Sequence, residues 1–407
     1  MVFPRRRLLP AVVVAAALVG AGCGPAPGET ITRVAGPNRS PSTTVPEDGA
    51  GQTRPPEATG TTSAPTSVPT SVPATTPPSA PDPGSGGGGT PLAGSGGTPP
   101  PPPGDPGPGT LRVTEVARGL DTVWAMAFDP EGRLWFTERG GRLTRLGEAA
   151  RPVEGVVESG EGGLMGLEID RQGRIFLMYT SATDNRVVRL EPDGTQTVLV
   201  EGIAKAGIHN GGRLRLGPDG ALYAATGDAG MPQLAPDPAS RNGKVLRLDP
   251  GGGPAQVFSR GHRNVQGLCT GSGGRLLATE HGPDRGDEVN ILSAGFDGGW
   301  PASVGTGIRN YTPTIAPAGC AVYTGGLIPG WQGSLLFVTL KGQDLRRLTL
   351  GADGSVTGEE ILFDGELGRL RDVAVAPDGS VYLATSNRDG RGSPAAADDR
   401  ILRVAPG

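Results

Sequence analysis

The sequence predicts an all-β chain, a six-bladed β-propeller behind a segment without regular structure, and three observations carry that expectation. A short phrase (a turn glycine, one spacer, then alternating apolar residues) returns six times within residues 111–407. No stretch of that region sustains an apolar period of 3.6 residues, so helix should be scarce. Residues 24–110 are mostly Pro, Thr, Ser and Gly with almost no aromatic or large aliphatic side chains. Such a composition buries too little apolar surface to offset the entropy of ordering, so a disordered linker is expected.

The phrase appears as E-G-R-L-W-F at Gly132, Q-G-R-I-F-L at Gly173 and D-G-A-L-Y-A at Gly220. It returns as G-G-R-L-L-A at Gly274, Q-G-S-L-L-F at Gly333 and D-G-S-V-Y-L at Gly379. Intervals of about 40 to 60 residues suit one four-stranded blade with its loops. Most phrases lead into a second short strand with arginine and branched residues, such as R-V-V-R-L or R-I-L-R-V. Leu111–Ala117 is expected to pair with Ile401–Ala405, closing the ring and removing an exposed edge.

Ahead of this domain, Arg5-Arg6-Arg7, an apolar run from Leu8 to Val19 and then Gly20-Ala21-Gly22-Cys23 read as a signal peptide over residues 1–23. The run falls short of the roughly 20 residues that span a bilayer. Small residues directly before Cys23 resemble a bacterial lipoprotein cleavage site, although Gly20 stands where a large aliphatic residue is usual. On that reading Cys23 is lipidated and residues 24–110 tether an extracytoplasmic domain to the cell membrane; an ordinary cleaved signal near the same point is the alternative. The formal charge of −4 makes nucleic acid an unsuitable partner. Cys269 and Cys320 remain for a disulfide outside the cytoplasm, or stand as two buried thiols.

The three histidines each occupy a polar motif: His209 in I-H-N-G-G-R-L, His262 in R-G-H-R-N-V-Q-G, and His281 in E-H-G-P-D-R-G-D-E-V-N. Such scarcity points to one assembled site. Asp228 arrives at the end of the strand after His209 and could orient its ring. An imidazole with an ordinary pKa of about 6.5 suits proton transfer near neutrality. Arg369 and Arg371 alternate along a strand, so both guanidinium groups share one face. With Lys341 they would suit a ligand bearing several carboxylates; pairing with Asp372 or Glu366 is the bland alternative. His262 reads best as capping a turn.

These words, with T-L-K-G, R-L-R-D-V and A-P-D-G-S-V-Y, resemble in order, from Leu111 to Pro406, the soluble pyrroloquinoline-quinone (PQQ) dependent glucose/sorbosone dehydrogenase family of β-propellers. The resemblance implies PQQ and Ca²⁺ as cofactors and oxidation of an aldose or related polyol, with electrons leaving to a quinone pool or small carrier. By resemblance His209 is the base, Arg263 approaches the quinone carbonyl, and Asn264, Lys341, Arg369 and Arg371 hold the cofactor. Gly282 and Pro283 would offer backbone carbonyls to Ca²⁺; Glu288 and Gly298 would form a second calcium site. Gln233 matches a residue lining the sugar pocket. Glu161 stands where relatives commonly carry glutamine near the cofactor, and no counterpart of an aromatic lid lies between Pro301 and Tyr311, so glucose itself is doubtful. Two other readings stay open, a calcium-dependent lactonase-type hydrolase and a non-enzymatic binding propeller with a decayed site.

Overall fold

A computed structural model describes residues 31–33 and 110–407. The expected signal peptide, Cys23 and most of the expected linker lie outside these residues. Six sheets follow one another in chain order. Their first strands are Val123–Phe128, Leu164–Ile169, Leu214–Leu216, Val265–Thr270, Pro317–Val322 and Leu370–Val375. Each of these strands touches the next, and the last touches the first, so they line the axis of a closed six-bladed ring.

The six recurring phrases become the second strands of the blades, from Leu134–Glu138 to Val381–Thr385. Their turn glycines, from Gly132 to Gly379, have φ between +76° and +85°, a region that side chains with a Cβ enter only under strain. The residue three places before the first two of these glycines, Asp129 and Asp170, is an aspartate that caps the turn. Asp129 Oδ1, for example, accepts the backbone N–H groups of Glu131 and Arg133 at 3.1 and 2.9 Å. Five third strands carry the arginine-containing pattern; the fourth blade uses Asp287–Leu292 instead. Among the described residues the helices are two three-residue 3-10 turns, Pro232–Leu234 and Ser272–Gly274, and none is long and apolar enough to cross a membrane.

Ring closure follows the expected pairing. Leu111–Ala117 runs antiparallel to Ile401–Pro406, with Leu111 opposite Pro406 and Ala117 opposite Ile401. One short segment ahead of the ring is also described. Ile31–Arg33 forms a three-residue strand that extends this closing blade, pairing antiparallel with Leu111–Val113. The physical reason is the edge that closure leaves: the outer side of Leu111–Ala117 offers unpaired backbone groups, and β-branched Ile31 and Thr32 suit a strand.

Cores lie between blades rather than within one sheet, because each sheet is covered on both faces. Trp124, Leu164, Phe176 and Leu222 from three successive blades form one such cluster, and Tyr323, Trp331, Leu370 and Leu402 form another. Cys269 and Cys320 are joined by a disulfide with Cα atoms 5.7 Å apart, a cross-link between the axial strands of the fourth and fifth blades. A closed loop of this length is worth about 4 kcal/mol by loop entropy. Cys269→Ser/Cys320→Ser is therefore expected to lose about 2–4 kcal/mol of stability, measured by denaturant unfolding under oxidising conditions. A difference below about 0.5 kcal/mol would show that the bridge does not form in solution.

Candidate functional site at one end of the ring

Two kinds of segment converge at one end of the propeller: those that enter the axial strands and those that leave the second strands. Antiparallel pairing puts these at the same end of each blade. Glu161, Asn210 and Asn264 precede axial strands, whereas Arg139, Asp228, His281 and Asp389 follow second strands. A small cleft with a cavity volume of about 40 Å³ opens there, lined among others by Glu161, Asn264, Gln266, His281, Arg369 and Arg371.

His209 and Asp228 form a dyad. Nδ1 of His209 lies 2.7 Å from Oδ1 of Asp228, with the histidine side chain 14 % exposed and the aspartate fully buried. Burial alone would raise the Asp228 carboxyl, but His209 and the Gly230 N–H and Trp300 indole N–H that it accepts hold it below the usual carboxylate range. An ionised Asp228 makes Nδ1 the proton-bearing nitrogen and leaves Nε2 to accept a proton. The backbone is set as carefully as the ring. His209 has φ +55°, held by its N–H to Glu161 Oε2 at 2.9 Å and by its carbonyl, which accepts Ala229 N–H at 3.1 Å. A Cβ on Gly227 would collide with the His209 carbonyl oxygen, so the Gly-Asp pair that delivers the carboxylate admits no larger residue at its first position. Behind this loop the buried Lys244 ammonium donates to the carbonyls of Leu234, Ala235 and Asn242 at 2.7–2.8 Å. Burial lowers its pKa to about 8.

Arg369 and Arg371 meet as the alternation requires, and both lie in the cleft. Their acidic partner is Asp389, not Asp372 or Glu366. Asp372 faces the other way and pairs with Arg213 at 3.0 Å. Arg369 grips Asp389 through Nε and Nη2, at 3.0 and 2.7 Å to Oδ2, and Arg371 Nη2 reaches the same oxygen at 3.4 Å. Arg369 Nη1 also donates to the Leu340 carbonyl, and Arg371 to Ser386 Oγ and Gln266 Oε1. Each guanidinium thus spends three of its five N–H donors among the described residues and keeps two. Burial, with the neighbouring Arg369 charge, lowers Arg371 to about 10 despite Asp389. Lys341 is exposed and donates to Thr314 Oγ1 at 3.1 Å. It stands one residue beyond Leu340 and is not among the cleft-lining residues.

Arg263 is half-buried, and this partial burial lowers its pKa; it lies over the Trp300 ring at 5.6 Å. Its Nη1 donates to the carbonyls of His281 and Gly282 at 3.2 and 2.7 Å. Asn264 Oδ1 accepts the Gly211 N–H and Gln266 Nε2, each at 3.1 Å. His262 is fully buried between Ser259 Oγ and Glu280 Oε2, both at 2.8 Å, and is structural. His281 Nε2 is buried with no hydrogen-bond partner among the described residues. Burial and the charges of Arg371, Arg263 and His209 press that imidazole down to about 3, so it stays neutral.

Glu288 and Gly298 line one small cavity together with Glu280. Burial, and then the Glu280 charge, raise the Glu288 carboxyl above its ordinary value. Gly282 is held by its own N–H to Asp287 Oδ1 at 2.8 Å, and Pro283 beside it is exposed on the same loop. Gln233 is exposed on the Pro232–Leu234 turn and does not line the cleft. Sequence reasoning missed Asp389, Arg391, Gln266 and Trp300. Only Trp300 carried a signal, as one of four tryptophans in a Gly-Gly-Trp-Pro run.

The chain is similar to known proteins over this same region. The PQQ-bound aldose sugar dehydrogenase of Streptomyces coelicolor superposes with a TM-score of 0.66 at 36% identity, covering 73% of this chain and 99% of that one. An aldose sugar dehydrogenase of Escherichia coli is 29% identical over 360 residues, 74% of this chain and 94% of its own. Quinoprotein glucose dehydrogenase B of Acinetobacter calcoaceticus is 24% identical over 407 residues, 68% of this chain and 85% of its own. A family model for glucose/sorbosone dehydrogenase matches residues 120–402, nearly the whole ring, and the chain belongs to that family.

Proposed function

We propose that this protein oxidises an aldose or related polyol with PQQ in the end-face cleft and His209 as the general base. One observation carries the reading. A pair of arginines with unspent donors and a histidine–carboxylate dyad open on the same end of the ring. The fit to the cofactor rests on donor chemistry: two like charges are held close in a partly dry cleft with N–H groups to spare, a setting that a ligand with several carboxylates completes. When bound, PQQ supplies the acceptor for the hydride that leaves the sugar carbon.

The remaining steps belong to the chain. His209 Nε2 takes the substrate hydroxyl proton, and Asp228 stabilises the imidazolium that results, as it already orients the neutral ring. Trp300 and the Gly230 N–H keep Asp228 ionised through that change. Arg263 contributes a desolvated positive charge where negative charge develops on the ligand. His281, neutral and unpartnered at Nε2 among the described residues, can hydrogen-bond the ligand without competing for the proton. The family resemblance of Cys23 and its preceding residues extends the proposal to a membrane-anchored, extracytoplasmic enzyme that passes electrons to a quinone pool or small carrier.

Calcium fits the two anticipated places unequally. At Gly282 an ion competes with the Arg263 guanidinium, which already donates to that carbonyl. Around Glu288 and Gly298 a hard cation meets a carboxylate and a carbonyl beside a second buried carboxylate, Glu280, the oxygen set that calcium prefers. We assign structural calcium to that second place and route no chemical step through it. A lactonase-type hydrolase is less well supported, because the groups that meet at the end face are paired guanidinium groups and a histidine–carboxylate dyad rather than gathered carboxylates.

The reading has two separable tests. Saturable PQQ uptake by the purified protein should weaken at least about tenfold in Arg371→Ala, whereas His209→Ala should keep uptake and lose roughly 10²–10⁴-fold in dye-coupled turnover across a sugar panel. Absence of saturable uptake by the unmodified protein sinks the proposal, and unchanged turnover in His209→Ala removes its base. Ca²⁺ should raise Tm in the unmodified protein through preferential binding to the folded state and should not do so in Glu288→Gln. A calcium-dependent rise that survives this substitution places the ion elsewhere.

A further inference from the structure

Glu161 is a carboxylate at the cleft, and its two oxygens are engaged in different directions. Oε2 accepts the backbone N–H of His209 at 2.9 Å, and Oε1 accepts Nη2 of Arg391 at 2.7 Å. Arg391 comes from the far end of the chain, on the loop between Thr385 and Ile401 that follows the second strand of the closing blade. Its backbone N–H donates to Oδ1 of Asp389 at 2.9 Å, and Asp389 is the residue gripped by Arg369. Both Glu161 and Arg391 line the cleft with the arginine pair.

We infer that Glu161 and Arg391 act as one electrically neutral unit that positions His209 without opposing an anionic cofactor. The inference rests on the proposed PQQ site. An acceptor is needed to hold the peptide of His209 in its left-handed conformation, and Glu161 supplies one at the cost of a negative charge beside the anion site. Arg391 cancels that charge. The guanidinium is 64 % exposed and the carboxylate 29 % exposed, so the pair adds little to fold stability. Its consequence is electrostatic and local: a lone carboxylate in the cleft repels the carboxylates of the ligand, and a paired one does not. Arg391 is a positioning residue on this account; it acts through Glu161.

The test reads cofactor affinity rather than turnover. Equilibrium binding of PQQ to the full chain should weaken about tenfold in Arg391→Ala, equivalent to about 1.4 kcal/mol of binding free energy. The double variant Glu161→Gln/Arg391→Ala should recover to within about twofold of the unmodified protein, because the amide oxygen still accepts the His209 N–H and carries no charge. Arg391→Lys, which retains the charge, should stay within about threefold of it. A merely structural ion pair predicts a small change in Tm and unaltered affinity in all three. Unchanged affinity in Arg391→Ala, or failure of the double variant to recover, overturns the inference. If the unmodified protein itself takes up no PQQ, the functional proposal fails instead, so the two failures are distinguishable.

Discussion

Closure of the ring by Leu111–Ala117 against Ile401–Pro406 is the constraint on which everything else in this domain depends. A propeller blade buries its faces only against neighbouring blades, so an open ring would leave two blade faces wet and one sheet edge unpaired. With the ends tied, six axial strands are forced around a common axis, and their entry segments share one end face. Residues far apart in sequence then become neighbours: Glu161 and Arg391 are 230 positions apart and in hydrogen-bond contact. The site is a consequence of closure rather than of any one blade.

Electrostatics at that end face works by balancing charges that could not stand alone in a partly dry place. Arg369 and Arg371 are held together by Asp389, and Arg371 is still lowered to about 10 by burial and its neighbour. Asp228 is kept ionised by His209, Trp300 and a backbone N–H. His281, buried beside cations, stays neutral. The three histidines therefore differ in setting. His209 pairs with Asp228 at the end face, Nε2 of His281 has no partner among the described residues, and His262 ties Ser259 to Glu280 in the interior.

Arg263 shows how one residue ties several segments of the end face together. Its peptide N–H bonds to Glu280, its guanidinium covers the Trp300 ring, and its Nη1 engages the Gly282 carbonyl. Trp300 in turn donates to Asp228. His209, Asp228, Trp300 and Arg263 thus form one connected set, in which a shift of any member is felt at His209.

Much of the fold was legible in the chain because a propeller repeats its local rules. Each turn glycine and each alternating strand reports on itself, so Gly132, Gly173 and their successors marked the second strands without reference to any partner. The His209–Asp228 dyad was legible for a related reason: a Gly-Asp at the end of one strand and a histidine before the adjacent strand lie close in any four-stranded meander. The partner of Arg369 and Arg371 was not. Asp372 is adjacent in sequence but points to the opposite face of its strand, where Arg213 awaits it, whereas Asp389 lies 20 residues beyond Arg369 on a loop with no periodic signal. The pairing of Ile31–Arg33 with Leu111–Val113 has no sequence signal, because composition averages over a long segment, while pairing needs only three residues and an open edge. Sequence alone determined the architecture, the repeat and the pairing of His209 with Asp228, since these depend on local geometry and residue chemistry. Only the tertiary structure decided which charge neutralises which, because that depends on distances across the closed ring.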